Sequence, residues 1–402
     1  MTFDEISELA KCSAEEIKHT RDLASASSDD IIIHKALRSV DWSFSDRTSH
    51  SPLEALHPYP AKFISEIPNA LLRCLPIEKG TAVLDPFCGS GTTLAECQKF
   101  NLPSVGIDLN PIACLISRVR TSPLPAGFEG IAEKVVATAR MSNSNEVPEI
   151  PRLDHWFKSE VQVALARLKM AIDTVDDAEI RDVLELVFSS IVVRVSNQES
   201  DTRYAAIEKP ITFDGVFLAF ERATKRAVRA LNEVPAKPSP ALVIEADVLK
   251  ATRNDVGQKI GLVITSPPYP NAYEYWLYHK YRMWWLKKDP IAVKANEIGA
   301  RAHFFKKNHH TADDFARQMG GTLDLISSVI SDGGFVCFVV GRSKIHGKIY
   351  DNARIIEEEG EKRGYSHFFE VERELSSKRK SFNLSHANIK KETIIVLRKG
   401  SL

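Results

Sequence analysis

The chain has 402 residues, 53 Lys and Arg against 53 Asp and Glu, and a hydrophobic fraction of 44%, which describes a globular protein with room for one elaborated domain or two. Disorder and collagen-like repeats are excluded, and zero net charge gives no overall field that would draw in a polyanion. No stretch approaches the ~20 apolar residues that cross a bilayer, and the opening MTFDEISELAKC lacks the basic-then-apolar pattern of a signal peptide. A cytoplasmic location with no membrane partner is expected.

Residues 1–50 end in the polar run SFSDRTSHSP and are expected to form an N-terminal arm. Strands are predicted at 81–85 (TAVLD), 104–108 (SVGID), 241–247 (ALVIEAD), 261–265 (GLVIT), 334–341 (GFVCFVVG), 366–372 (SHFFEVE) and 393–399 (TIIVLRK). The first five are short and apolar, as in a parallel sheet covered on both faces. The last two alternate and follow one another without a clear helix, which predicts an antiparallel edge. The expected fold is α/β, a doubly wound and mostly parallel seven-stranded sheet. Helical periods such as Val161, Leu165, Leu168, Ile172 and Ile180, Leu184, Val187, Phe188, Ile191 interrupt this rhythm. The chain is therefore expected to divide into the arm (1–50), an α/β domain (51–126 and 238–402) and an inserted helical subdomain (127–237). The insert is nearly balanced in charge and does not read as a basic clamp. Its polar stretch SNQESDTRY (196–204) reads as a surface loop or as the lining of a cleft.

The six cysteines (Cys12, Cys74, Cys88, Cys97, Cys114, Cys337) show no CxxC pair or regular spacing, so neither a zinc site nor a disulfide framework is indicated. His309-His310 and Asp313-Asp314 are adjacent residues that diverge, which favours a solvated loop; no metal is expected.

Directly after the first strand comes DPFCGSGTT (85–93). Gly89 and Gly91 let the backbone turn tightly and approach a ligand at the carboxyl end of a strand, where open α/β sheets bind small molecules. No GK[ST] follows and the third glycine of GxGxxG is missing, which disfavours ATP and NAD. Asp108, at the tip of the next strand, can accept two hydrogen bonds from a ribose diol.

After the fourth strand, TSPPYPNAYEYW (265–276) carries two prolines that stiffen the turn. An exocyclic amine on a nucleobase is a poor nucleophile because its lone pair is delocalised into the ring. Activating it requires hydrogen-bond partners at fixed geometry, and Ser266 and the carbonyl of Pro267 are candidates. Tyr269 offers a ring on which an extruded base could stack. Attack on a cytosine ring carbon would need a cysteine nucleophile, and none occurs in residues 260–280.

In DPFCGSGTT followed by TSPPY, the sequence resembles the Class I, Rossmann-like S-adenosylmethionine-dependent methyltransferases, and among them the amino-methyltransferases of DNA. The resemblance covers roughly residues 55–125 and 240–400. It implies S-adenosyl-L-methionine as cofactor, with Asp85, Phe87, Gly89 and Gly91 around its methionine end, Asp108 on its ribose and Asp247 near its adenine. HPYPAKF (57–63) resembles the family segment that completes this pocket, which brings in Lys62 and Phe63. SPPY resembles the cytosine-N4 branch, with Ser266, Pro267, Pro268 and Tyr269 as the catalytic set. Adenine-N6 methylation, an RNA amino-methyltransferase and an inactive nucleic-acid-binding module stand as alternatives. Double-stranded DNA is the implied partner, and a cognate restriction endonuclease is a second partner consistent with the resemblance.

Two segments are locally basic. Lys and Arg outnumber acids nine to four between Tyr275 and Gly320 and seven to one between Ser376 and Leu402. In the first, Lys287, Lys288, Lys306 and Lys307 are the phosphate candidates. In the second, Lys378, Arg379 and Lys380 lie in a long loop between the last two strands.

Overall fold

The structure, a computed structural model, describes residues 27–45, 51–60, 63–201, 203–270, 273–304, 309–374 and 391–400. Seven strands form one sheet: β1 (Ala82–Asp85), β2 (Ser104–Asp108), β3 (Ala241–Glu245), β4 (Ile260–Thr265), β5 (Ile330–Gly341), β6 (Tyr365–Glu374) and β7 (Lys391–Lys399). Their order is β6-β7-β5-β4-β1-β2-β3. Neighbours from β3 to β5 are parallel, and β7 runs antiparallel to both β5 and β6. This is the doubly wound, mostly parallel sheet expected from the sequence, and the last two strands form the expected antiparallel edge, with β6 outermost and β7 one place inside. The reason is visible in the residues. Ile394, Ile395, Val396 and Leu397 form a continuous apolar run that needs cover on both faces, whereas β6 buries only Tyr365, Phe369 and Arg373, as a border strand does.

Successive strand residues feed two cores. Leu84, Val263, Val336 and Ile395 face the helices Ala312–Val329 and Asn352–Glu361. Val83, Leu262, Cys337 and Ile394 face α1 (Ser28–Ser39) and α2 (Glu66–Cys74). The described part of the expected arm is thus a packed element: Ile33, Leu37 and Trp42 are buried, Arg373 donates to the Trp42 carbonyl (3.0 Å), and Arg398 pairs with Asp30 (2.6 Å).

Two helices follow the first two strands, α3 (Thr92–Lys99) after β1 and α4 (Pro111–Arg120) after β2. Residues 127–237 hold four long helices, α5 (Phe128–Met141), α6 (Ser159–Asp173), α7 (Ala178–Val195) and α8 (Phe213–Leu231). The apolar positions singled out from their periodicity are all buried. Their core is continuous with Ile112, Leu115, Ile116 and Val119 of α4 and with Tyr281, Met283 and Trp285 of α9 (Tyr275–Trp285). The insert is therefore docked on the helix after β2 and on the helix after the Ser-Pro-Pro-Tyr turn. Among the described residues, no helix is long and apolar enough to cross a membrane.

Candidate active site

The strand order reverses between β1 and β4, so their carboxyl ends border a crevice of the kind in which doubly wound sheets bind ligands. Asp85 closes β1 and Thr265 closes β4. The Thr265 hydroxyl donates to Asp85 Oδ1 at 2.6 Å, and the Phe87 N–H donates to the same oxygen at 3.1 Å. Burial raises the Asp85 carboxyl to about 6, against these hydrogen bonds and that of Thr93, which lower it. The glycine turn and the proline turn are thus tied at their roots.

Gly91 sits at φ +74° at the start of α3, and a Cβ there would meet Ser117 Oγ at 2.8 Å. Strain and space both demand glycine. Helix α4 buttresses the turn: Ser117 donates to the Gly89 carbonyl (2.8 Å), and buried Arg120 donates to the Ser90 carbonyl (3.2 Å) and to Thr92 Oγ1 (3.1 Å). Phe87 is half-buried against the cluster that contains Tyr269.

Asp108 closes β2 beside this turn. Its two oxygens accept from the N–H of Gly89 (2.9 Å) and of Asn110 (2.8 Å). Burial raises its carboxyl to about 6, against those bonds, while Asp85 pushes it further up. A carboxylate offers about four lone-pair sites, so these bonds do not saturate it. Asp247 follows β3, whose continuation bonds back to β2 through the Ala246 N–H and the Asp108 carbonyl (3.0 Å). Its own carboxylate accepts from the Leu249 N–H (3.0 Å) and pairs with Lys250 (3.2 Å).

In the second turn, the Ser266 hydroxyl donates to the Val339 carbonyl of β5 (3.0 Å). Pro267 is buried and Pro268 half-buried. The Tyr269 side chain is 9% exposed, in a cluster with Ile298, Phe315 and Val340, and burial drives its hydroxyl far above the usual range. Gly299, at φ +74°, backs this turn: a Cβ there would lie 2.9 Å from the Tyr269 carbonyl carbon and oxygen.

Other residues at the site went unnoticed in the sequence. Tyr59 lies against Gly89, whose added Cβ would meet the Tyr59 hydroxyl at 3.1 Å, and its ring stacks on Tyr275 with centroids 5.7 Å apart. It lies within HPYPAKF, so the motif signalled it. Nothing in the sequence signals Glu297, which arrives from beyond α9 to accept the N–H groups of Tyr275 (2.9 Å) and Trp276 (2.7 Å) at the start of that helix. Burial raises its carboxyl to about 8, against those two bonds, with Glu274 and Asp108 adding repulsion. His279 is fully buried beside Tyr59 and His57. Neither of its ring nitrogens has a partner among the described residues, and burial, with Arg282 and His57, holds it neutral.

The remaining candidates are dispersed. Phe63 is half-buried and packs on the core beneath α1 and α2. Lys287 pairs with Asp173 (2.8 Å) and Lys288 with Glu245 (3.7 Å). Lys62, Lys306, Lys307, Lys378, Arg379 and Lys380 lie outside the described residues. His309 stacks on His346 (4.6 Å), while Asp314 caps the helix Ala312–Val329 with Thr311. The run 196–204 forms part of a short ribbon whose Asp201 binds Arg282, a fully buried residue of α9 that also donates to the Ser189 carbonyl of α7 (3.1 Å).

Fold and site together define a doubly wound α/β protein with two loops, one built for close backbone approach and one stiffened by proline, on a single crevice. A family model described as "DNA methylase" (N6_N4_Mtase) matches residues 9–118. The Type II methyltransferase M.MvaI of Kocuria varians is 24% identical over 239 residues, covering 54% of this chain and 53% of that protein. The Type II methyltransferase M.MjaII of Methanocaldococcus jannaschii is 36% identical over 88 residues, covering 20% and 16%. The chain thus spans about half the length of the first relative and less of the second. Among solved structures, a glycopeptide N-methyltransferase complexed with S-adenosyl-L-methionine aligns at 8% identity over 84% of this chain and 93% of that one, with a TM-score of 0.30.

Proposed function

We propose that the protein is an S-adenosylmethionine-dependent DNA amino-methyltransferase that acts on the N4 amine of cytosine in duplex DNA, after the base is extruded from the helix. The observation that carries this reading is the Thr265–Asp85 hydrogen bond, which roots both loops at one crevice. The likeness to DNA methylases supports the substrate class.

The residues present fit the cofactor. Gly89 and Gly91 leave bare backbone, Asp108 keeps lone pairs for a ribose diol, and Tyr59 and Tyr275 supply aromatic surface beside the turn. Asp85 holds Phe87 in place through its N–H, and Asp247 follows β3 beside Asp108. When bound, S-adenosylmethionine supplies an electrophilic methyl group. The chain's own task is to orient the amine. With its proton given to Val339, Ser266 Oγ is left as an acceptor, and the Pro267 carbonyl is a second one on a stiff turn. Two acceptors that engage the amine's N–H bonds favour a pyramidal nitrogen whose lone pair points at the methyl group. Serine in place of an acidic or amide residue at 266 favours cytosine over adenine. A cytoplasmic location and a partner endonuclease belong to the same proposal.

The test is mass analysis of nucleosides from duplex DNA treated with the protein and S-adenosylmethionine. N4-methylcytosine is expected. N6-methyladenine would transfer the reading to adenine. An absence of product together with an absence of cofactor binding by calorimetry would leave a binding module.

A further inference from the structure

The near balance of charge in the insert conceals a segregation. Between Arg194 and Lys237 the sequence has eight Lys and Arg against six Asp and Glu. Five of those acids are engaged in ion pairs: Glu199 with Arg203 (2.7 Å), Asp201 with Arg282, Glu208 with Lys158 (3.3 Å), and Asp214 (2.5 Å) and Glu221 (3.6 Å) with Arg140. Arg282, Lys158 and Arg140 come from outside the stretch. They neutralise four of its acids and, with Arg203 held by Glu199, leave the cations of α8 without an acidic partner among the described residues.

Those cations are ordered. Arg222, Lys225, Arg226 and Arg229 are exposed on α8, and among the described residues none has an acidic partner. Their spacing of three, four and seven puts them on one face. The opposite face, with Val216, Phe220, Ala223, Ala227 and Ala230, is buried. Exposed Arg194, at the end of α7, adds to the stripe. The Arg226 guanidinium is lowered by partial burial and by Arg194, so like charges crowd there. The stripe is joined to the crevice, because Asp201, in the ribbon between α7 and α8, binds Arg282 of α9, whose first residue Tyr275 stacks on Tyr59.

We propose that this face of α8, with Arg194, is the surface on which the insert holds the sugar-phosphate backbone of duplex DNA; the proposal rests on the methyltransferase reading above. Seven residues of helix rise about 10 Å, the axial advance of about three phosphates on one strand. Guanidinium forks match phosphate oxygens in pairs, and a row of uncompensated cations gains most from a polyanion. No base edge is read by such a face; it fixes the position of the duplex.

The experiment is a salt titration of binding to a labelled duplex by fluorescence anisotropy, comparing the wild-type chain with Arg222→Gln/Lys225→Gln/Arg226→Gln/Arg229→Gln, with cofactor affinity by calorimetry as the check on folding. These side chains are exposed, so the fold should tolerate the changes. Expected are an affinity loss of at least tenfold and a fall in the salt slope of up to about 3.6, roughly 0.9 per phosphate contact, at unchanged cofactor affinity. A wild type that binds and methylates duplex, with an unchanged slope in the variant, would overturn this surface and leave the methyltransferase reading standing. A wild type that binds no duplex overturns both, and one that binds structured RNA in its place overturns DNA as the partner of this face. If the variant also loses cofactor affinity, Lys225→Glu/Arg226→Glu replaces it, under the same expectations.

Discussion

The Thr265 hydroxyl lies 2.6 Å from Asp85 Oδ1, across the point where the sheet reverses its winding. Through it the glycine turn after β1 and the proline turn after β4 share one buried anchor. Thr265→Val keeps the shape and removes the donor, leaving a buried carboxyl short of one partner. A loss of about 1–3 kcal/mol in denaturant unfolding is expected. Turnover should fall more than cofactor affinity, since the proline turn loses its tie, and Thr265→Ser should restore both.

Asp108 must be ionised to accept from two ribose hydroxyls, and its carboxyl is held at about 6. Cofactor affinity, measured by calorimetry, is therefore expected to weaken as pH falls through 6 and to level off above 7. Asp108→Ala should bind the cofactor at least tenfold more weakly at every pH and lose this dependence. An unchanged affinity in the variant would remove Asp108 from the ribose.

Gly299 and Tyr269 give a matched pair of tests of the second turn. Gly299→Ala would force a Cβ to within 2.9 Å of the Tyr269 backbone at a left-handed φ. Turnover should drop by tenfold or more with cofactor affinity nearly unchanged. Tyr269→Phe keeps the ring and should retain most turnover. Tyr269→Ala should lose it, together with about 3–5 kcal/mol of stability, because the side chain is buried. A Tyr269→Phe variant as inactive as Tyr269→Ala would point to the hydroxyl and away from stacking.

Glu297 carries a pH signature in stability. Its folded value of about 8 lies above the ordinary carboxylate value, so the folded state binds the proton more tightly than the unfolded state. The sign follows: this contribution is fully present below about pH 4.5 and is lost as pH rises through 8. Thermal melts between pH 5 and 9 should show wild-type stability declining relative to Glu297→Gln. Asp85 and Asp108 contribute only to the lower part of that window, up to about 6. Parallel profiles for the two proteins would mean that Glu297 is charged in the folded state.

The sequence by itself determined the seven strands, the apolar faces of the insert helices and the two turns, because each is written in local terms: a run of β-branched residues, a period of 3.6, a pair of glycines, a pair of prolines. Only the tertiary structure decided what depends on residues far apart in the chain. It put β7 inside the sheet because an apolar run needs cover on two faces, and it brought Glu297 and Gly299 behind loops some twenty to thirty residues away. It also exposed the basic face of α8 by pairing the insert's acids with Arg140, Lys158 and Arg282. Charge and space at a site are sums over neighbours in three dimensions, and a count along the chain does not contain them.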